Sequence, residues 1–210
     1  MRIDSLKTSA DRAGRYWVVF EDGTRLGLYR QTIQDFGLYA GQELTDEEME
    51  SLLAAAGKMS ARMRSVRIVS ASNVSRRDLE DRLVRKGEDP VHAREAVAWM
   101  EELHLVDDRN TAEQVVHSCI SKGYGLARAK QALYEKRIPK EYWEEVLEDY
   151  PDQLDKILSF LRSRLDQDSD ERDVKRAVDA LIRRGHSYRT IREGLNQLSL
   201  ETEDFLEESF

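Results

Sequence analysis

The sequence predicts a mainly α-helical protein: three tandem three-helix repeats stacked into an elongated, curved array, with a small N-terminal β-hairpin extension. Three observations carry this reading. Leu83, Lys86, Gly87 and Val97 are echoed by Leu133, Lys136, Arg137 and Leu147 and again by Leu181, Arg184, Gly185 and Leu195, at identical offsets of three, four and fourteen from each leading leucine. Asp22-Gly23 is flanked by residues that alternate in polarity, the mark of two strands joined by a tight turn. Charged residues make up 35% of the chain, against only three prolines in 210 residues, which favours helix over sheet elsewhere. One repeat of this size buries too little apolar surface alone, so neighbours must share a core.

Along the chain, Tyr16, Val18 and Phe20 alternate before the turn and Leu26 and Leu28 after it, with Trp17 and Val19 on the opposite face and Glu21 placed opposite Thr24. A lone hairpin is marginal in water, so a third strand from residues 2–8 or packing on the helices is expected. Residues 1–44 read as this N-terminal cap. Thr45 and Glu48 form a capping box and Gly57 supplies a stop, which predicts a connecting helix within residues 45–57. The first repeat then spans residues 58–106: a helix over 58–71, a second after Ser75 ending at Gly87, and a third capped by Asp89 with Pro90 in its first turn. The second repeat, 107–149, opens at the Asp107-Asp108 pair, stops before Gly123, and continues with helices over 126–136 and 139–150. The third, 150–210, carries Ile157, Leu161, Val178, Leu181, Ile191 and Leu195 on helical stripes and ends in an acidic tail over 199–210.

The sequence carries no catalytic pattern. Gly57-Lys58 is no phosphate loop, since Leu52 stands where the leading glycine belongs and Met59 follows the lysine. The single cysteine, Cys119, sits on the apolar stripe of Ala112, Val115, Val116 and Ile120 and reads as core, and the four histidines show no ligand spacing. Trp99 and Trp143 read as packing residues, whereas an exposed Trp17 would be free to stack on a base or anchor a partner. The expectation is a binding protein without enzymatic activity, cofactor or metal. With no apolar run long enough for a span and no hydrophobic signal core, it is expected to be cytoplasmic, away from membranes and monomeric.

Charge is segregated beneath the formal net of −8. Residues 58–86 hold nine basic and three acidic side chains, residues 122–140 six and one, and residues 172–192 seven and two. Glu141, Glu144, Glu145, Glu148, Asp149, Asp152 and Asp155 form an acidic run between them. Stacking would align the basic segments into a stripe suited to a polyanion or an acidic groove. The partner-binding candidates are therefore Arg76, Arg77, Arg82, Arg85 and Lys86, then Lys122, Arg128, Lys130, Lys136 and Arg137, with Arg183 and Arg184 extending the stripe. Overall acidity argues against tight, sequence-independent binding to bare duplex DNA, and favours a protein target that already carries nucleic acid.

Ser75, Leu79, Leu83, Lys86 and Gly87, then Leu105, Val106, Asp107, Asp108 and Ala112, then Leu133, Lys136 and Ile138 together resemble the motifs of the RecX family, bacterial regulators that bind and restrain the RecA recombinase. The resemblance covers nearly the whole chain. It implies a clamp on the RecA filament, lying in its helical groove on single-stranded DNA, that inhibits filament extension, ATP hydrolysis and strand exchange. That role belongs to recombination, DNA repair and the SOS response. Two residues depart from the family pattern: Thr111 replaces an aromatic residue, and Arg137 replaces the glycine that follows the lysine. The alternative is a stand-alone nucleic-acid-binding protein of helix-turn-helix type with one basic second helix in a groove.

Overall fold

A computed structural model describes residues 1–9, 14–166 and 169–198, so the expected tail over 199–210 lies outside the described residues. The chain divides into two compact units, Met1–Val106 and Asp107–Phe210.

In the first unit, β1 (Ile3–Thr8), β2 (Arg15–Phe20) and β3 (Arg25–Tyr29) form an antiparallel sheet in the order β1-β2-β3. The third strand expected from residues 2–8 is thus present. The turn differs by one residue from the predicted register: Val19 pairs with Arg25 and Val18 with Leu26, which leaves Phe20 opposite Thr24 across a three-residue loop. Gly23, at φ +86°, takes the left-handed position that such a loop requires, and the Asp22 carboxylate accepts from both the Thr24 amide and hydroxyl. Those two bonds hold the Asp22 carboxyl below its ordinary range. Val18, Phe20, Leu28 and Ile3 are buried on the inner face, and Trp17 stays on the outer one.

The inner face packs on α1 (Arg30–Asp35) and on the first half of α2 (Asp46–Ala71), through Ile33, Met49, Leu52 and Ala56. The capping box at Thr45 and Glu48 is formed as expected, and both bonds hold the Glu48 carboxyl low. The stop at Gly57 is not: α2 runs unbroken for 26 residues, so residues 45–57 and 58–71 are one helix. Gly57 serves packing instead, since a β-carbon there would lie 2.5 Å from His92 Nδ1, on a ring carried by the next-but-one helix. Beyond it, Ala61 and Ile68 join Leu79 and Leu83 of α3 (Arg76–Arg85) and Ala93, Ala96, Val97 and Met100 of α4 (Pro90–Glu102) in a second core. Ser75 and Asp89 cap these helices as the sequence indicates.

The second unit begins with α5 (Asp108–Ser121), capped by the Asp107 carboxylate on the Asn110 amide, followed by α6 (Leu126–Glu135). The helix expected over 139–150 is shorter: a 3₁₀ turn at Lys140–Tyr142 leads into α7 (Trp143–Leu147). Glu141 and Glu145, and Glu144 and Glu148, would stand as like charges one turn apart in a longer helix, which disfavours it by a few tenths of a kcal/mol per pair. Ala112, Val116, Leu133 and Ile138 form its buried centre, with Trp143 against them donating its indole N–H to the Ile138 carbonyl. Cys119 is buried, which pushes its thiol pKa up. Then α8 (Leu154–Arg162), α9 (Glu171–Arg183) and α10 (Tyr188–Gln197) enclose Ile157, Leu161, Val178, Leu181, Ile191 and Leu195. These are the apolar stripes read from the sequence.

Candidate functional site

The repeated lysine or arginine positions owe their placement to one backbone ending used three times. In α3, α6 and α9 the leading leucine's carbonyl accepts from the amide five residues on: Leu83 from Glu88 at 3.1 Å, Leu133 from Ile138 at 3.0 Å, Leu181 from His186 at 3.2 Å. The residue that reverses the chain is left-handed each time: Gly87 at φ +89°, Arg137 at +55°, Gly185 at +85°. Arg137 thus adopts the conformation of the glycine it replaces. Lys86, Lys136 and Arg184 precede the reversal, at the negative end of the helix dipole.

In the first unit the five candidates have unequal roles. Arg76 pairs with Glu101 at 2.9 Å, and Arg82 grips Asp78 in a two-pronged contact at 2.8 and 3.0 Å while reaching Ser72 Oγ at 3.2 Å. Arg77, Arg85 and Lys86 are exposed and make no salt bridge among the described residues. Arg82 and Lys86 line a groove of about 420 Å³ together with Arg64, Arg67, Ile68, Ala71 and Ser72 of the α2 end. Arg64 donates to the Lys86 carbonyl at 2.9 Å and pairs with the buried Glu88 at 2.6 Å. Arg64 and Arg67 stand three residues apart, with Ala71 one turn on, so the helical spacing that would have singled them out is in the sequence.

In the second unit the structure brings the start of α6 against the end of α9. The amides of Gly125 and Ala127 donate to the carbonyls of Arg184 and Gly185 at 2.9 and 3.2 Å. The backbones approach so closely that a β-carbon on Gly125 would lie 2.1 Å from Gly185 O, and one on Gly185 2.2 Å from the Arg128 amide. Buried His186 sits within hydrogen-bond distance of Gly123 O at 3.1 Å, and Tyr150 donates to the Tyr124 carbonyl at 2.6 Å. Burial, reinforced by the nearby Arg184 charge, lowers the His186 pKa, and burial pushes the Tyr150 phenol up to about 12.

Arg128, Lys130 and Arg184 therefore cluster around this junction, where Lys130 lines a cavity of about 400 Å³ with Tyr150 and His186. Lys136 and Arg137 lie at the other end of α6, a helix of ten residues and so about 15 Å long. Arg128 is paired with Glu135 at 2.9 Å, which holds the glutamate below its ordinary range, and the Arg184 guanidinium stacks 4.4 Å from the Phe160 ring centre. Lys122, Lys130 and Arg183 are exposed and make no salt bridge among the described residues.

Residues 107–147 match the family model described as RecX, second three-helix domain. The chain is 30% identical over 139 residues to the regulatory protein RecX of Chlorobaculum tepidum, covering 65% of this chain and 86% of that one. It is 22% identical over 207 residues to the regulatory protein RecX of Clostridioides difficile, covering 94% of both. A crystal structure of a regulatory protein RecX has the same fold, with a TM-score of 0.61 at 19% identity over 91% of this chain and 98% of that chain.

Proposed function

This chain belongs to the RecX family of regulatory proteins, and from that premise we propose that it binds the RecA recombinase filament on single-stranded DNA, along its helical groove, and inhibits filament extension, ATP hydrolysis and strand exchange. The observation that supports this reading is the set of exposed cations that make no salt bridge among the described residues: Arg77, Arg85 and Lys86 on α3 and at its C-terminal end in one unit, Lys122 and Arg183 at the ends of α5 and α9 and Lys130 within α6 in the other. Such side chains keep their charge for a partner, while those already paired, such as Arg82, hold the fold. A clamp needs only affinity and placement, and no group that makes or breaks bonds.

The test is RecA ATPase activity on single-stranded DNA with this protein added at less than one copy per RecA subunit. A filament clamp slows hydrolysis at that ratio. Reversing Arg77, Arg85 and Lys86 together to glutamate, with Arg82 left on Asp78, is expected to abolish the slowing with the helical circular dichroism retained. Undiminished inhibition by this variant removes the α3 cluster from the interface.

A further inference from the structure

A clamp built on those exposed cations leaves the outer face of the N-terminal sheet unused, yet the side chains there form an ordered aromatic and cationic surface. Strand register places Lys7, Trp17 and Gly27 in one row and Arg15 beside Tyr29 in the next. Trp17 is 39% exposed. The Arg15 guanidinium lies over Gly27 between two rings, with its carbon 5.8 Å from the centres of both Trp17 and Tyr29. Gly27 makes room for it, because a β-carbon there would come within 2.9 Å of Arg15 Nη2 and 3.2 Å of Trp17 Cζ3. Arg15 Nε is buried there without a hydrogen-bond partner. The two rings stand a diagonal cross-strand step apart, roughly 7–8 Å, with the guanidinium plane between.

Among the described residues the charge on this face has one sign. Lys7, Arg15 and Arg25 belong to it, and the sheet's own acids, Asp4, Glu21 and Asp22, lie at the turn end. Arg67 reaches from α2 to donate to the Tyr29 hydroxyl at 3.4 Å, and it also lines the α2–α3 groove with Lys86. Neither Arg67 nor Lys86 makes a salt bridge among the described residues. An aromatic pair, a stacked guanidinium and a row of cations leading to a groove match what unpaired nucleotides offer: a flat face on each base and a charge on each phosphate. An acidic peptide would use the cations and leave the rings idle.

We propose that the outer face of the N-terminal sheet is a binding surface for single-stranded nucleic acid, on which bases stack against Trp17, Arg15 and Tyr29 while phosphates follow Lys7 and Arg67 toward Lys86. The contact is made by this chain itself, in the absence of any recombinase.

The test measures anisotropy of labelled oligothymidine and oligouridine, with a duplex of equal length and an oligoglutamate as comparators, on the full chain without RecA. Both single strands bind, and the difference between them reads which sugar is preferred. Trp17→Ala weakens binding about five-fold or more, the effect of losing one stacked base, and Trp17→Phe restores most of it while Trp17→Leu does not. Gly27→Val, which expels Arg15 and removes neither ring, weakens binding as Trp17→Ala does. Replacing Lys7 and Arg67 by glutamine lowers the salt slope by about 0.7 for each phosphate no longer neutralised. Circular dichroism confirms that each variant is folded. Equal binding by the Trp17 variants, duplex bound as tightly as single strand, or oligoglutamate held in a Trp17-dependent way would each overturn the proposal.

Discussion

Arg137 is one of three non-glycine residues, with His104 and Gln153, that hold a left-handed backbone among the described residues. A β-carbon at φ +55° costs about 1–2 kcal/mol relative to a right-handed residue, and glycine avoids that cost. Arg137→Gly is therefore expected to be neutral or to stabilise the chain by up to ~1 kcal/mol in urea unfolding, and Gly87→Ala, with open space around it, to cost about as much as Arg137→Gly relieves. His186 adds a pH dependence. Its pKa is lowered in the folded chain, mainly by burial, so the unfolded chain takes up a proton at a pH where the folded one does not. Stability is then complete above the unfolded histidine value near 6.5 and falls as the pH drops through it. The melting temperature should decrease from neutral pH to below pH ~6, less steeply in His186→Gln. Tyr150→Phe leaves the Tyr124 carbonyl without its donor, at a cost of about 1–3 kcal/mol by denaturant unfolding.

At the level of elements, the sequence told some glycines apart and confused others. Gly87, Gly123 and Gly185 end helices, as their places after periodic apolar runs indicate. Gly57 looks the same in sequence and lies inside a helix, because its reason for being glycine is a ring on α4, far along the chain. The hairpin faces were legible from alternation, but the register depended on whether the loop had two residues or three, and Asp-Gly suits both. Repeat cores were legible because helical periodicity and burial coincide. The α6–α9 junction was not, because a backbone approach leaves no trace beyond two glycines. Gly125→Ala tests that junction: a β-carbon 2.1 Å from a carbonyl oxygen has nothing flexible to displace, so a loss of about 3 kcal/mol or more is expected. Gly57→Ala, which meets only a side-chain ring, should cost less.

At the scale of the whole chain, composition gave the charge and its segregation but could not say which cations are spent. Arg82 and Arg85 look equivalent in sequence, yet one is held by Asp78 and Ser72 and the other is open to solvent. The family could be read because its motifs are helix caps and endings, which are local; the partner surface could not, because pairing across helices is decided by the fold. On the proposed function, a protein of net charge −8 that binds through local positive patches should be sensitive to ionic strength, since exposed charges are screened over about 10 Å at 0.1 M salt. Inhibition of the RecA ATPase should weaken as salt rises, and a salt-independent effect would point to apolar contacts instead.

The unbroken α2 gives the first unit a mechanical property. A shaft of 26 residues, about 39 Å long, is keyed at one end into the strands through Leu52 and at the other into α3 and α4 through Ala61 and Ile68. With no break between the two anchorages, a displacement of the β-layer is passed along one continuous helix to the far bundle, and pruning the strands would strip Leu52 of its socket and leave the shaft with a bare greasy handle.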